Sequence, residues 1–131
     1  MTKKELMLRA IELSEESVRN GGGPFGALIV KNGEIIAEGN NKVTINNDPT
    51  AHAEVCAIRN ACKKLNTFEL TDCEIYTSCE PCPMCLGAIY WAHLAKIYYG
   101  NNRKDASEIL LHKEASNAFR MWTLKDDKME Y

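Results

Sequence analysis

The stretch Thr77–Cys85, with sequence TSCEPCPMC, places three cysteines at intervals of three residues with prolines between them. Thiols this close together bind a metal, form a disulfide or perform redox chemistry. The N-terminal residues MTKKELMLRAIELSEES do not have the pattern of a signal peptide, so we expect a cytoplasmic protein in a reducing environment. Disulfides are then the weaker interpretation, and the stretch favours metal binding.

Length and composition predict an ordinary globular protein. We expect residues 1–131 to form one domain, which is enough chain to bury a core without disulfides. Hydrophobic residues make up 45% of the chain and charged residues 26%, and the net charge is −2. This balance gives no basic field to attract phosphates, and no apolar run is long enough to cross a membrane. We therefore expect no membrane partner, and RNA is a disfavoured one.

The patterning along the chain predicts an element order of α-β-β-α-β-α-β-α. Apolar residues at helical spacing predict an amphipathic helix from Thr2 to about Arg19. Asn32-Gly33 separates two apolar runs and predicts a β-hairpin. Strands joined through helices imply parallel pairs, and the hairpin adds an antiparallel edge. The sequence therefore predicts an α/β fold with a mixed sheet, of four strands by this count.

Two helices are predicted around the cysteine-rich stretch. Asp48-Pro49 predicts the N-cap and first position of a helix that continues through TAHAEVCAIRNACKKL. After the strand CEIYTS, a second and buried helix is predicted over CPMCLGAIYWAHL, with Pro83 near its start. The segment that begins at Lys104 is predicted to be mostly helical with a charged end. Each of the first two helices opens with residue types that bind metals.

The two helix starts supply the ligands of a catalytic zinc. His52, Ala53 and Glu54 open the first helix, while Cys82 and Cys85 lie three apart on one face of the second. The positive end of a helix favours thiolate, and one histidine with two thiolates leaves the fourth zinc position for water. Glu54 would then be a general acid–base near that water. The site must lie off the helix tip, because His52 and Glu54 do not share a helix side.

A closed structural zinc site is the alternative. Cys79 could join His52, Cys82 and Cys85 in a Cys₃His set, which leaves no position for water. A lone Cys-x-x-Cys is common in structural zinc knuckles and in redox motifs. Spacing alone does not exclude Cys79, so its distance from the metal separates an enzyme from a structural module.

Three segments resemble the cytidine deaminase-like superfamily of zinc-dependent nucleobase deaminases. They are PFGALIVKNGEIIAEGNN, NDPTAHAEVCAIRNA and YTSCEPCPMCLGAIYWA, and the resemblance extends from about Gly23 to Gly100. His-x-Glu followed by Pro-Cys-x-x-Cys is the signature of zinc deaminases. AIYWA and the terminal EY are most similar to bacterial guanine deaminases. Transfer-RNA adenosine deaminases usually have Pro-Ile-Gly-Ala and Leu-Glu-Pro-Cys, where this chain has PFGA and SCEPC.

The resemblance implies a fold, a reaction and a set of site residues. The fold would be a three-layer α/β/α sandwich with a central mixed sheet of four to five strands. One zinc ion per subunit would be held by His52, Cys82 and Cys85, with Glu54 moving protons. The reaction would be hydrolytic deamination of a purine, guanine to xanthine and ammonia. Adenosine-to-inosine deamination in transfer RNA is the first alternative; cytosine deamination and a structural zinc module follow.

The resemblance also implies partners and substrate contacts. The protein would be a homodimer, and the resemblance allows the C-terminal segment to exchange between the two subunits. The residues around the nucleobase would be Phe25, Asn41, Ala53, Trp91 and Tyr131. Without the family context, Trp91 is predicted to pack in the core, Asn41 to occupy a turn and Tyr131 to belong to a solvated tail.

The chain departs from the family pattern after the last predicted strand. Family members have a longer segment there, with a fifth strand and a Phe-Asp-Asp sequence whose aspartate helps to recognise guanine. Here NNRKDA leads directly into SEILLHKEASNAF, and the nearest acidic residues, Asp105 and Glu108, do not match that sequence. The sequence therefore supports the type of reaction more strongly than it supports the substrate.

Overall fold

The computed structural model describes residues 1–101 of the chain. Its elements, in chain order, are α1 Lys3–Arg19, β1 Gly26–Lys31, β2 Glu34–Asn40, α2 Val43–Asn46, α3 Ala53–Leu65, β3 Cys73–Cys79, α4 Pro83–Ala92 and β4 Lys96–Asn101. The predicted order is confirmed over these residues with one addition, because the short helix α2 was expected to be a polar connection. The predicted C-terminal helix and Tyr131 lie outside the described residues.

The described strands form one mixed sheet in the order β2-β1-β3-β4. Strand β1 is antiparallel to both β2 and β3, whereas β3 and β4 are parallel. The hairpin turn places Asn32 at φ 53° and Gly33 at φ 76°. Positive φ at both central residues is the conformation that Asn-Gly favours and that matches strand twist. The predicted hairpin and its antiparallel edge strand are therefore confirmed.

Helix α1 covers one face of the sheet. Its N-cap Thr2 accepts a hydrogen bond from the Glu5 backbone N–H, and the Glu5 side chain accepts from the Thr2 backbone, which completes a capping box. The helix buries an apolar stripe against β1 and β3. The buried cluster on this face consists of Leu6, Met7, Ala10, Ile11, Leu13, Leu28, Val30 and Tyr76.

Helices α3 and α4 cover the opposite face. The cluster there combines small residues of α3, including Ala53, Ala57 and Ala61, with Ile29 and Ile75 of the sheet. Successive residues of β3 serve the two faces in turn, since Ile75 belongs to this cluster and Tyr76 to the one under α1. The sheet thus lies between two helical layers, as the three-layer prediction requires.

None of the helices within residues 1–101 has both the length and the apolar character of a membrane span.

Candidate metal centre and active site

The start of α3 lies four residues later than the sequence predicted. Asp48 does not cap the helix, because its carboxylate accepts hydrogen bonds from the Thr50 backbone N–H at 2.8 Å and the Thr50 hydroxyl at 2.7 Å. That Asx-type turn commits the Asp48 side chain before helical geometry begins. The N-cap is instead His52, whose side chain forms no capping bond. The imidazole therefore lies at the helix tip, where the sequence-based argument needed it.

Helix α4 begins at the cysteines. Cys82 is the N-cap, Pro83 occupies the first turn where its missing N–H costs nothing, and Cys85 is completely buried in that same turn. The preceding strand β3 ends at Cys79, so the chain reverses over only a few residues before α4 begins. This connection brings the N-terminus of α4 against the N-terminus of α3.

Three ligand atoms meet at the two helix tips. The His52 Nδ1 atom lies 3.7 Å from the Cys82 Sγ atom and 3.5 Å from the Cys85 Sγ atom, and the two sulfurs are 3.6 Å apart. Zinc–sulfur bonds of about 2.3 Å and zinc–nitrogen bonds of about 2.0 Å at tetrahedral angles require ligand separations of about 3.5 to 3.8 Å. The donor set therefore fits one tetrahedral zinc ion, and the three residues would fill three of its corners.

Cys79 is not part of this group. Among residues 1–101, the set of ligand atoms within 4.8 Å of one another consists of His52, Cys82 and Cys85. Cys79 ends β3, and its carbonyl oxygen accepts a hydrogen bond of 2.6 Å from the Thr77 hydroxyl. All six cysteines lie in the described part of the chain, and none of them forms a disulfide there. Three protein ligands is the number typical of a catalytic zinc, in contrast to the closed Cys₃His alternative.

Glu54 lies beside the ligand group and is shielded from solvent. The residue is 7% exposed, and its carboxyl group lies near the Cys85 thiol. Burial raises the pKa of the Glu54 carboxyl above its usual value, although its backbone hydrogen bond, Cys85 and His52 partly oppose that rise. A carboxyl group with a raised pKa is suited to accept and return protons near neutral pH.

The protein surroundings alone do not favour the Cys85 thiolate. Burial raises the pKa of this thiol, and the nearby Glu54 carboxylate and Cys82 raise it further. Desolvation is the largest of these effects on the Cys85 thiol. The positive charge of a metal ion would reverse this balance, since a coordinating thiol is deprotonated outright.

Three of the predicted substrate residues are buried or partly buried in the described part of the chain. Asn41 is buried, and its Oδ1 atom accepts a 3.1 Å hydrogen bond from the Val43 N–H, which fixes the side chain at the start of α2. Ala53 is wholly buried as the first residue of α3. Phe25 is partly buried against the cluster beneath α3 and α4. The turn prediction for Asn41 agrees with its bond to Val43.

Trp91 occupies an unexpected position. It lies in the last turn of α4, is 74% exposed and contacts the equally exposed Tyr90 edge to face, with ring centroids 5.6 Å apart. The core-packing prediction is therefore wrong. A helix rises about 1.5 Å per residue, so the Cα atoms of Cys82 and Trp91 lie about 13 Å apart along the axis. The described residues do not bring Trp91 to the three ligand atoms.

One residue near the site escaped the sequence-based argument. Gly39 is buried in β2, two residues before Asn41, where the backbone of α3 comes very close to the strand. An isolated glycine within a strand pattern is the signal that could have found it, because such a glycine often marks a close backbone approach.

Comparisons with known proteins agree with this geometry. Residues 1–101 match the model of the cytidine and deoxycytidylate deaminase zinc-binding region. A guanine deaminase of Bacillus subtilis is 60% identical over 109 residues, which cover 82% of this chain and 70% of that protein. A tRNA-specific adenosine deaminase of Aquifex aeolicus is 41% identical over 99 residues, which cover 76% of this chain and 66% of that protein.

The structural comparison points in the same direction. The X-ray structure of the guanine deaminase from Bacillus subtilis superimposes with a TM-score of 0.78 at 44% identity, covering 100% of this chain and 99% of that one. The protein therefore belongs to the cytidine and deoxycytidylate deaminase family, whose zinc-binding region includes the His52, Cys82 and Cys85 positions described above.

Proposed function

We propose that this protein is a zinc-dependent hydrolase that converts guanine and water into xanthine and ammonia. The observation that supports this most is the buried Glu54 carboxyl beside a three-ligand group that fits one zinc ion. We propose guanine as the substrate because the chain is 60% identical to a guanine deaminase and 41% identical to a tRNA-specific adenosine deaminase.

In this proposal, His52, Cys82 and Cys85 hold the metal. A bound zinc ion supplies a Lewis acid that lowers the pKa of a water molecule toward neutrality. Glu54 takes a proton from that water while the oxygen forms a bond to C2 of guanine. Glu54 returns this proton to N3, and then transfers the second proton of the water from the new C2 hydroxyl to the exocyclic amine. The C2–N bond breaks and ammonia leaves, so the water supplies the oxygen of xanthine and a hydrogen of ammonia.

The base would bind on the α3 side of the sheet. Asn41, held by its bond to Val43, would present a fixed amide to the purine edge. Phe25 and the backbone at Ala53 would bound the ring. In this proposal, Trp91 would reach the base from a second subunit. Tyr131 would reach it from the C-terminal segment, in the same subunit or in the partner.

A homodimer is part of the proposal. Helix α4 exposes a set of large apolar side chains, namely Met84, Leu86, Tyr90 and Trp91. A cluster of exposed large apolar residues on one helix is a frequent mark of a protein–protein interface. A second copy placed on α4 would lie next to the metal centre, since the ligands Cys82 and Cys85 are at the start of this helix. We further propose a cytoplasmic location, which suits six cysteines without a disulfide.

Ammonia release from a panel of substrates tests the function. The purified zinc-loaded protein is offered guanine, adenine, cytosine, their nucleosides and a transfer-RNA anticodon stem. We expect turnover of free guanine without any RNA. Turnover of the RNA adenosine with none of guanine would overturn the proposal in favour of the RNA-acting alternative.

A further inference from the structure

Gly39 lies at the closest approach of β2 and α3. A Cβ atom added to Gly39 would lie 2.5 Å from the Ala53 carbonyl oxygen, 2.5 Å from the Ala57 nitrogen and 3.0 Å from the Ala57 Cα atom. All three neighbours are backbone atoms, so no side-chain rotation can make room. Only a residue without a side chain permits this spacing between strand and helix.

The backbone that contacts Gly39 is the first part of α3. The Ala53 carbonyl directly precedes Glu54, and His52 is the N-cap of the same helix. The separation of α3 from β2 therefore sets the positions of His52 and Glu54 together. Cys82 and Cys85 belong to α4, which is connected through β3 rather than through β2. A shift of α3 would move the nitrogen ligand and the carboxyl relative to both sulfurs.

We propose that Gly39 is a positioning residue for this site. By keeping α3 close to β2, it holds His52 within zinc-binding distance of the two thiols and holds Glu54 against Cys85. The part of this inference that concerns turnover rests on the proposed function. The part that concerns metal binding depends only on the geometry of the three ligands.

The expected cost of a side chain at this position is large. A methyl group in Gly39→Ala must displace α3 relative to β2 by several tenths of an ångström or more, and we expect this to change the 3.5 and 3.7 Å separations between His52 and the sulfurs. Disturbing the groups that orient metal ligands typically weakens metal affinity about 10- to 100-fold. A displacement of about 1 Å at a catalytic group costs about 100-fold in rate.

The experiment compares Gly39→Ala with a matched variant on the other face of the sheet. A Cβ atom at Gly26 would lie 2.5 Å from the Ala10 carbonyl oxygen and 2.6 Å from the Ser14 nitrogen, both in α1. Gly26→Ala therefore introduces the same methyl at a similar strand–helix contact, against a helix that holds no proposed ligand. Zinc affinity is measured by competition with a chromophoric chelator, together with thermal unfolding and, for Gly39→Ala, kcat and KM for guanine.

We expect Gly39→Ala to lose at least 10-fold in zinc affinity and in kcat while still folded, and Gly26→Ala to lower Tm with zinc affinity within about 3-fold of wild type. Equal zinc affinities in the two variants at similar Tm would overturn the proposal. Should Gly39→Ala not fold, Ala57→Ser adds one atom to the fully buried helix residue whose backbone lies against Gly39. Unchanged zinc affinity and kcat in that folded variant would also overturn the proposal. A wild type that binds zinc but does not deaminate guanine would contradict the proposed function, while the zinc comparison would still test Gly39.

Discussion

Desolvation decides the chemistry of individual residues at the metal centre. It raises the pKa of the Glu54 carboxyl and of the Cys85 thiol, so both groups hold protons more strongly than they would in water. A metal ion would overcome this effect at the thiol, because it interacts directly with the sulfur. Glu54 is not a ligand in the three-atom group, so its carboxyl group remains available for proton transfer.

Replacing Glu54 with glutamine is expected to abolish turnover while leaving the metal in place. The amide keeps the size of the carboxyl but cannot accept and return a proton, and loss of general acid–base catalysis costs about 10²- to 10⁴-fold in rate. Ammonia release and zinc content of the Glu54→Gln variant are measured on the same preparation. Substantial residual kcat with a full zinc content would mean that another group moves the protons.

The cysteines of the opening stretch are expected to differ in metal binding. Cys82→Ser removes one of the two ligand sulfurs, so the variant should lose most of its zinc on dialysis. Cys79→Ser is the matched control three residues earlier and should retain one zinc per subunit with near wild-type turnover. Zinc content by elemental analysis and sulfur coordination by X-ray absorption distinguish the two. A loss of zinc in Cys79→Ser would favour the closed structural site.

At the scale of elements, β2 is fixed from both faces of the sheet. On one side Glu38 accepts two hydrogen bonds from Arg9 of α1, at 2.7 Å to Nε and 2.9 Å to Nη2. On the other side Gly39 lies against the backbone of α3. Neighbouring residues of a strand point to opposite faces of the sheet. Glu38 therefore binds α1 on one face, and Gly39 allows α3 to pack closely on the other. The place of α3, and with it the metal centre, thus depends on how β2 is held.

The Arg9–Glu38 pair predicts a specific dependence of stability on pH. The Arg9 hydrogen bond lowers the pKa of Glu38, so the stabilisation is complete above the unfolded-state value of about 4.3 and is lost as pH falls below it. Glu38→Gln should cost about 1 kcal/mol at pH 7, since the pair is bidentate but Glu38 is one-third exposed. The difference from wild type should shrink between about pH 4.5 and pH 3.

Urea unfolding at a series of pH values measures this difference. Glu12→Gln is the control, because Glu12 contacts the same arginine from a more exposed position. It should change the free energy of unfolding by less than about 0.5 kcal/mol. A constant difference between wild type and Glu38→Gln down to pH 3 would show that the charge of Glu38 is not the cause.

At the scale of the whole molecule, the sheet brings together two helix N-termini that are 30 residues apart in the chain, at His52 and Cys82. The parallel β3–β4 pair requires α4 to cross over the sheet, and α4 lies on the same face as α3. The outer side of α4 remains exposed in the described residues, with Tyr90 69% and Trp91 74% accessible.

Association of two subunits is expected to cover this surface. A Tyr90→Ser and Trp91→Ser double variant should dissociate more readily than wild type, because aromatic anchors dominate interface energies at about 2 kcal/mol or more each. Sedimentation equilibrium at micromolar concentration measures the effect. Phe68→Ser is the control, since Phe68 is an exposed aromatic outside α4. A monomeric wild type would contradict the proposed dimer, and an unchanged dimer in the double variant would place its interface elsewhere.

The sequence by itself determined most of the described elements and the ligand types of the centre. Local properties of the sequence include the helical periodicity of α1, the Asn32-Gly33 turn and the ligand types at His52, Cys82 and Cys85. The structure contains the predicted helix and turn, and it brings the three ligand residues together. The N-cap prediction at Asp48 was wrong because the Thr50 contacts compete for the same carboxylate. Helix α2 was missed because the polar run around it has no apolar periodicity.

Only the tertiary structure decided which groups meet. Spacing could not exclude Cys79 as a fourth ligand, because the direction of the chain between β3 and α4 depends on how both elements pack on the sheet. The exposure of Trp91 and the close approach at Gly39 likewise depend on neighbours distant in sequence. Burial, which raises the pKa of Glu54, is a property of the packed molecule, and no single stretch of sequence contains it.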